Sequence, residues 1–328
     1  MIKEVSLIIP YKSDQEKLSI LLSSMLEWKA TPNEIIIINT SSNGIFIPYD
    51  FKSFYKDNNT NLYILDKKNM YPGGARNFGI KKATNSLLSF LDTSTHPCNE
   101  WLSRGLEIIE NGNYEGVWGS TYYEANLFIS RIFRACTYGE KPIKTFPGSI
   151  LHKDVFIKCG LFIESTRAGE DGDFMSRVDL HNINIAKSEN FLKYDKLDRM
   201  NFIEIVKKWY RNYFHTAKMP YFRPHKDIYF YGISLVAVIA SYNWNRIVDP
   251  TGAENELFIP NITKTSILLI FLIYLYLRGI YLPLKKGTNL KTILPFNFII
   301  ISFLSAILDL TKILAFVKSK FHKNKKFN

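Results

Sequence analysis

The chain has 328 residues, 46% hydrophobic and 22% charged, a balance that excludes a disordered chain and leaves room for about two folded units. Lys and Arg outnumber Asp and Glu by 42 to 30, and the resulting formal charge of +12 favours partners that carry phosphate. Nucleic acid is excluded as that partner, because the basic residues of the first half are dispersed and no nucleic-acid-binding motif occurs.

Cys98, Cys136 and Cys159 are too few for a disulfide framework and lack metal-ligand spacing, which points to a reducing compartment. The opening MIKEVSLIIP has no long apolar core of a signal peptide, so the first part of the chain is expected in the cytoplasm.

Residues 5–10 (VSLIIP) are an apolar run closed by Pro10, as a buried parallel strand is. Residues 14–28 have apolar positions at helical spacing, with Asp14 as N-cap. EIIII at 34–38 predicts a second buried strand, ended by the polar turn NTSSNG, and LYIL at 62–65 a third. A Pro-Gly-Gly turn opens a helix over 74–84, followed by a strand at 87–91 (LLSFL). A helix over 99–111 and a strand at 116–121 come next; 122–150, with Arg131, Arg134 and the PGS at 147–149, reads as a loop or lid near a substrate. Strand–helix alternation predicts an α/β fold with a mainly parallel, Rossmann-like sheet flanked by helices. Ligands bind such sheets at the carboxyl ends of the strands, and Tyr11, Asn39 and Asp92 each stand just past one.

Residues 201–222 predict an aromatic and basic helix, after which the composition changes. The segments 266–284 and 293–317 are each long and apolar enough to cross a bilayer, which takes roughly 20 helical residues. Segment 228–242 is shorter and suits a buried or interfacial position. Lys285, Lys286 and Lys291 lie between the long segments and the tail 318–327 is also basic, so the positive-inside rule gives no single orientation. Asp309 and Lys312, three apart on one helix face, are expected to pair within the apolar segment. The division expected is 1–222 for a catalytic domain and 223–328 for a membrane-associated helical region with a basic tail.

Three blocks carry the chemistry. GGARNFGIKKA (73–83) joins close-approach glycines to a helix N-terminus that favours anions, and Arg76 adds a permanent fork-shaped charge. LLSFLDTST (87–95) ends a strand on the carboxylate of Asp92, and AGEDGDF (168–174) gathers Glu170, Asp171 and Asp173. Carboxylates that close raise one another's pKa and suit proton transfer. A plain acidic helix start would look the same in sequence.

In this order, with SLIIPYKS at 6–13, the blocks resemble family 2 glycosyltransferases of the GT-A fold over about residues 1–220. The resemblance implies that Pro10, Tyr11, Asn39, Gly74, Arg76, Asn77 and Asp92 bind a nucleotide-sugar donor, and that Arg211, after the catalytic domain, closes over its phosphates. It further implies that Asp171 is the general base of an inverting transfer, supported by Glu170 and Asp173. The family's usual Asp-Asp-Gly-Ser turn reads here Asn39-Thr40-Ser41-Ser42. Its Asp-x-Asp metal motif reads Asp92-Thr93-Ser94, so a Mg²⁺ or Mn²⁺ ion would rest on Asp92 and the donor phosphates. Near the place of the family's late His ligand stand Tyr194 and Asp195; His96 and His152 are substitutes to test.

The function expected on these grounds is transfer of a sugar, UDP-linked, to a lipid-linked or growing glycan acceptor at the inner membrane, in cell-surface polysaccharide assembly. The rival readings are a non-catalytic nucleotide-sugar-binding or scaffold member of the same fold and, disfavoured by the apolar C-terminus, a soluble nucleotidyltransferase.

Overall fold

Four strands build the parallel half of the sheet: β1 (Val5–Tyr11), β2 (Glu34–Asn39), β3 (Asn61–Asp66) and β4 (Leu87–Phe90). The computed structural model that shows them describes residues 4–188, 192–220, 226–248 and 257–321. β1 pairs in parallel with β2 on one side and β4 on the other, and β2 with β3. The apolar runs of β1, β2 and β4 are buried on both sides, whereas β3 at the edge is largely exposed, and neighbours in sequence go to opposite faces. Leu7, Ile9, Ile35 and Ile37 enter one core, and Ile8, Ile36 and Ile38 the other. Burying each such side chain is worth about 1.5–3 kcal/mol.

The helices α1 (Gln15–Met25), α2 (Tyr49–Asp57) and α4 (Trp101–Gly112) pack into the first core. The second face holds α3 (Pro72–Lys82), α6 (Lys153–Cys159) and α7 (Glu170–Leu180). Asp14 caps α1 as expected, its Oδ1 accepting from Lys17 N at 3.2 Å.

The second half of the sheet departs from the expectation. Residues 122–150 are not a loop: β6 (Gly116–Tyr123) runs into them, α5 spans Phe128–Cys136, and β7 (Ile143–His152) lies in mid-sheet, antiparallel to β4 and β6. Pro147 and Gly148 hid this strand, because proline and glycine inside a strand usually mark its absence or a bulge. A register shift of β6 between Val117 and Gly119 accommodates them. Gly148 has φ +90°, and its carbonyl accepts from Trp101 Nε1 at 2.9 Å. Short strands β5 (His96–Pro97), β8 (Ile185–Lys187) and β9 (Leu192–Tyr194) complete a nine-stranded mixed sheet.

After the sheet come α8 (Phe202–Thr216), opened by a capping box of Asn201 and Glu204, and α9 (Lys226–Val248), longer than the apolar run at 228–242. Two described helices, Ile262–Lys285 and Asn297–Phe321, are long and apolar enough to cross a membrane. They differ in environment: the apolar stretch of the first is 11% buried, that of the second 44%. Ile301 and Leu308 of the second share a core with Ile132 and Phe133 of α5 and Ile205 of α8, which ties the C-terminal helix to the domain below. Asp309 receives Lys312 Nζ at 3.1 Å as expected, and also Arg278 Nη2 at 2.6 Å and the Tyr274 hydroxyl at 3.1 Å. The end of the basic tail, 322–328, lies outside the described residues.

Candidate active site

The carboxyl ends of β1 and β4 and the start of α7 enclose a cleft of about 380 Å³. Its lining brings together Pro10, Tyr11, Arg76, Asp92, Glu170 and Asp171, six of the residues expected from sequence. β1 and β2 are fastened at that end by Thr40, whose backbone N and Oγ1 both donate to the Tyr11 carbonyl, at 2.7 and 3.0 Å.

Arg76 organises the site. Its Nη1 donates to Glu170 Oε1 at 3.1 Å and to Asp171 Oδ1 at 2.6 Å, and its Nη2 to Asp92 Oδ1 at 3.0 Å. The guanidinium is buried beside the rings of Phe146 and Phe162. Burial alone would push it down, but Asp171, Asp92 and Glu170 more than reverse that and hold it up, so it stays charged.

One buried cation thus serves three carboxylates. Burial pushes the Asp171 carboxyl well above the ordinary carboxylate range; Arg76 opposes the shift, and Glu170 and Asp92 add to it. Asp171 nonetheless keeps about a third of its side chain open to the cleft, whereas Glu170 is buried. A carboxyl that is partly open and poised toward neutral pH fits a general base.

The loop before α7 places this pair. Gly169 caps the helix with φ +95°, and a Cβ there would stand 2.8 Å from Thr216 Oγ1, so α8 closes tightly on the helix start. Cationic groups gather at the same rim. Lys12 and Arg167 are exposed lining residues, and burial together with Lys218, Arg211 and Arg167 pushes His215 below its ordinary value. Such a rim attracts a diphosphate.

Other expected residues are placed outside the lining. Asn77 staples α3 to the 162–164 segment, donating to Phe162 O at 2.9 Å and Glu164 Oε1 at 2.8 Å. Gly73 serves the same contact: a Cβ there would fall 2.4 Å from the Ile163 carbonyl, while one on Gly74 would meet only the Glu164 side chain at ordinary distances. Asn39 spends its amide on its own turn, donating to Asn43 O at 2.8 Å and Asp66 Oδ1 at 2.7 Å and accepting from Ser41. Asp173 is locked to Arg177 Nε at 2.9 Å and is buried in α7. Arg211 stands beside the lining residue Asn212. His96 faces Asp195, 4.0 Å away.

Sequence reasoning missed Thr40, Lys12, Arg167 and Asn212 as cleft residues. It also missed Asp66, which brings a carboxylate to the Asn39 turn from the end of β3. A signal existed for Lys12 and Arg167, since each directly adjoins a block already singled out.

Over residues 6–157 the chain matches the family model Glycosyl transferase family 2. Residues 6–157, a little under half of the chain, are thus similar to a family 2 glycosyl transferase domain. The mannosyltransferase PcManGT from Pyrobaculum calidifontis, solved in complex with GDP-Man and Mn²⁺, shares the GT-A fold with a TM-score of 0.55. It is 12% identical, with 99% of this chain and 89% of PcManGT covered. S. aureus TarS aligns at 13% identity and a TM-score of 0.45, over 97% of this chain and 55% of TarS, so the chain spans about half of that protein's length. Residues 1–349 of TarS in complex with UDP-GlcNAc give 13% identity and 0.45, over 98% and 93%. No curated protein sequence matches the chain.

The residues of the cleft set the terms for the divalent cation expected from sequence. Among the described residues no group of three or more His, Cys, Asp or Glu side chains is disposed to hold a metal. The hard oxygens on offer in the cleft are the carboxylate of Asp92, already bonded to Arg76, and the hydroxyl of Ser94. They fit an ion held loosely and completed by diphosphate and water. Ser94→Asp is therefore expected to tighten Mn²⁺ binding by at least about tenfold, because ligand charge sets affinity. Calorimetric titration of Mn²⁺ in the presence of UDP measures this, and equal affinities would remove Ser94 from the site.

Proposed function

We propose that the glycosyltransferase moves a sugar, with inversion, from a nucleotide-sugar donor to a lipid-linked or growing glycan acceptor at the inner membrane. The observation that carries this reading is the Arg76 constellation, which fixes Asp92 and Asp171 around one cleft. The donor diphosphate lies against Lys12 and Arg167, with Asp92 and Ser94 holding the cation that offsets leaving-group charge when it is bound. Asp171 takes the proton of the acceptor hydroxyl. The acceptor oxygen then attacks the anomeric carbon from the face opposite the diphosphate, and that bond breaks as the new one forms. Arg76 keeps Asp171 in place, and the buried Glu170 helps keep its proton affinity high.

Donor binding is tested by thermal shift with UDP- and GDP-sugars, with and without Mn²⁺; a ligand at 100 times its Kd adds about 2.7 kcal/mol of stability. UDP-sugars are expected to give the larger shift. No shift with any nucleotide-sugar would sink the donor assignment. Proton transfer is tested by pH. A base works deprotonated, so kcat/KM should rise with pH through the Asp171 pKa, along a limb well above the ordinary carboxylate range. Because Glu170 raises that pKa, Glu170→Gln should move the limb to lower pH. An unmoved limb would mean that another group titrates.

The membrane reading rests on the helices Ile262–Lys285 and Asn297–Phe321, with a cytoplasmic catalytic domain over 1–222 and a membrane-associated region over 223–328. The full chain should sediment with membranes and resist carbonate extraction. Release by carbonate would make these helices peripheral and remove the main support for a lipid-linked acceptor.

A further inference from the structure

The helix Asn297–Phe321 is the reverse of a helix in water. Its buried side carries Ser302, Ser305, Asp309, Lys312 and Ser319. Its exposed side is a stripe of Ile300, Phe303, Leu310, Leu314 and Val317, at spacings of three, four and seven. Polar side chains turned in and apolar ones turned out mean that the medium outside this helix is apolar.

The same helix lies flat against the domain. Ile205 of α8 shares a core with Ile301 and Leu308, Trp209 and Tyr213 line a cavity with Lys312, and the Tyr210 ring is 6.0 Å from the Lys318 ammonium. Contact with α8 therefore extends from Ile301 to Lys318, about 25 Å of helix. α8 exposes Glu204, Lys207 and Arg211 along one face. A charged side chain at the bilayer centre costs about 2.5–3.5 kcal/mol, so α8 stays out of the hydrocarbon. A crossing helix would meet the domain at one end, whereas this one keeps to the depth of α8.

α9 and the helix Ile262–Lys285 stand differently. They run antiparallel: the Phe230 and Tyr231 rings meet that of Tyr274, Thr263 Oγ1 donates to the Ser241 carbonyl at 3.2 Å, and Trp244 Nε1 to the Leu257 carbonyl at 2.9 Å. The root of this hairpin rests on Asp309, midway along the C-terminal helix, through Tyr274 and Arg278. Beyond the root, Ile233 and Val236 of α9 and Leu268 and Leu272 of its neighbour are exposed. The two helices have 23 and 24 residues. Each is thus about 35 Å long, against roughly 30 Å of hydrocarbon. Residues 228–245 carry no charged side chain.

We infer that the chain crosses the bilayer twice, through α9 and Ile262–Lys285, while Asn297–Phe321 lies in the plane of the interface on the domain side with its stripe in the acyl chains. This rests on the membrane reading above and removes its conflict over orientation. The domain, Lys285, Lys286, Lys291 and the basic tail then share one side, and on the other no Lys or Arg stands between Arg246 and Lys264. Lys318 and Lys320 are exposed at the level where headgroup phosphates lie. A second copy of the chain would cover the stripe but not the apolar surface around the hairpin as well. Asn212 of α8 lines the donor cleft, so a single helix separates that cleft from the helix that lies on the lipid.

The test uses the full chain in sealed membrane vesicles of defined orientation, with a membrane-impermeant maleimide as probe. Native Cys98 is exposed and marks the domain side. In a Cys98→Ser background, Lys320→Cys should react from that same side. Labelling of Phe258→Cys should be lost with the reagent on that side and recovered from the other. Lys320→Cys reacting from the side of Phe258→Cys would make the C-terminal helix a third crossing and overturn the inference. All three sites reacting from one side would overturn it too; release by carbonate would then take the membrane reading with it, and retention would leave that reading standing. Depth is the second readout. Nitroxides on Leu310→Cys and Val317→Cys should be equally deep by oxygen accessibility, whereas a crossing helix would set them about 10 Å apart. A stripe closed to oxygen, with spin–spin coupling between copies, would overturn the inference in favour of a second copy.

Discussion

Arg76→Met should cost the protein about 3–5 kcal/mol, because removing one partner of a buried ion pair leaves the other charges uncompensated. Here the stranded groups are Asp92, Glu170 and Asp171, all bonded to the same guanidinium. In a thermal melt the loss should appear as a fall of roughly 10 °C at neutral pH. Without the cation, the Asp171 carboxyl, which burial already holds high, rises further, so ionising it in the folded state costs more as pH rises and the deficit should shrink on acidification toward pH 4. Arg76→Lys should fall between, since an ammonium cannot reproduce the fork that reaches three acceptors. A melt of Arg76→Met equal to wild type at neutral pH would mean that the constellation does not hold the fold.

The second large effect is on rate alone. Asp171→Asn keeps size and an oxygen for Arg76 but removes basicity, and transfer should fall by about 10²–10⁴-fold. Donor binding, measured by thermal shift, should persist. Stability should not fall at neutral pH. The raised Asp171 pKa favours the folded state below the unfolded pKa and opposes it as pH rises through the folded value, so a neutral side chain removes a cost. A variant that binds donor, melts no lower than wild type and transfers at the wild-type rate would take Asp171 out of the mechanism.

How much of this was legible in the sequence depended on how local the signal was. β1 and β2 announced themselves because strands buried on both faces carry unbroken apolar runs, as Leu7–Pro10 and Ile35–Ile38 do. Arg76, Asp92 and the Glu170-Asp171 pair were readable as blocks, but not that one guanidinium joins all three carboxylates, since Arg76 and Asp171 are 95 positions apart. β7 was illegible because Pro147 and Gly148 break the pattern, and only the register shift against β6, in which β7 carries the extra residues, shows why they are tolerated. The glycines of the Gly-Gly turn were read as room for a phosphate, whereas Gly73 makes room for the Ile163 carbonyl. Asn39 looked like a ligand contact and proves to be bonded within its own turn. Arg278 had no visible partner inside its apolar run, because Asp309 lies on another helix. For Gly73 and Arg278 the deciding neighbour came from a distant part of the chain, for Asn39 largely from its own turn.

The central claim is a single displacement in which Asp171 activates the acceptor and the sugar is inverted. The most direct measurement is the anomeric configuration of the first glycoside formed from whichever nucleotide-sugar stabilises the protein, read from the one-bond ¹³C–¹H coupling at the anomeric carbon. The configuration should be opposite to that of the donor. A product that retains the donor's configuration would contradict the mechanism, whatever the fold and the cleft suggest.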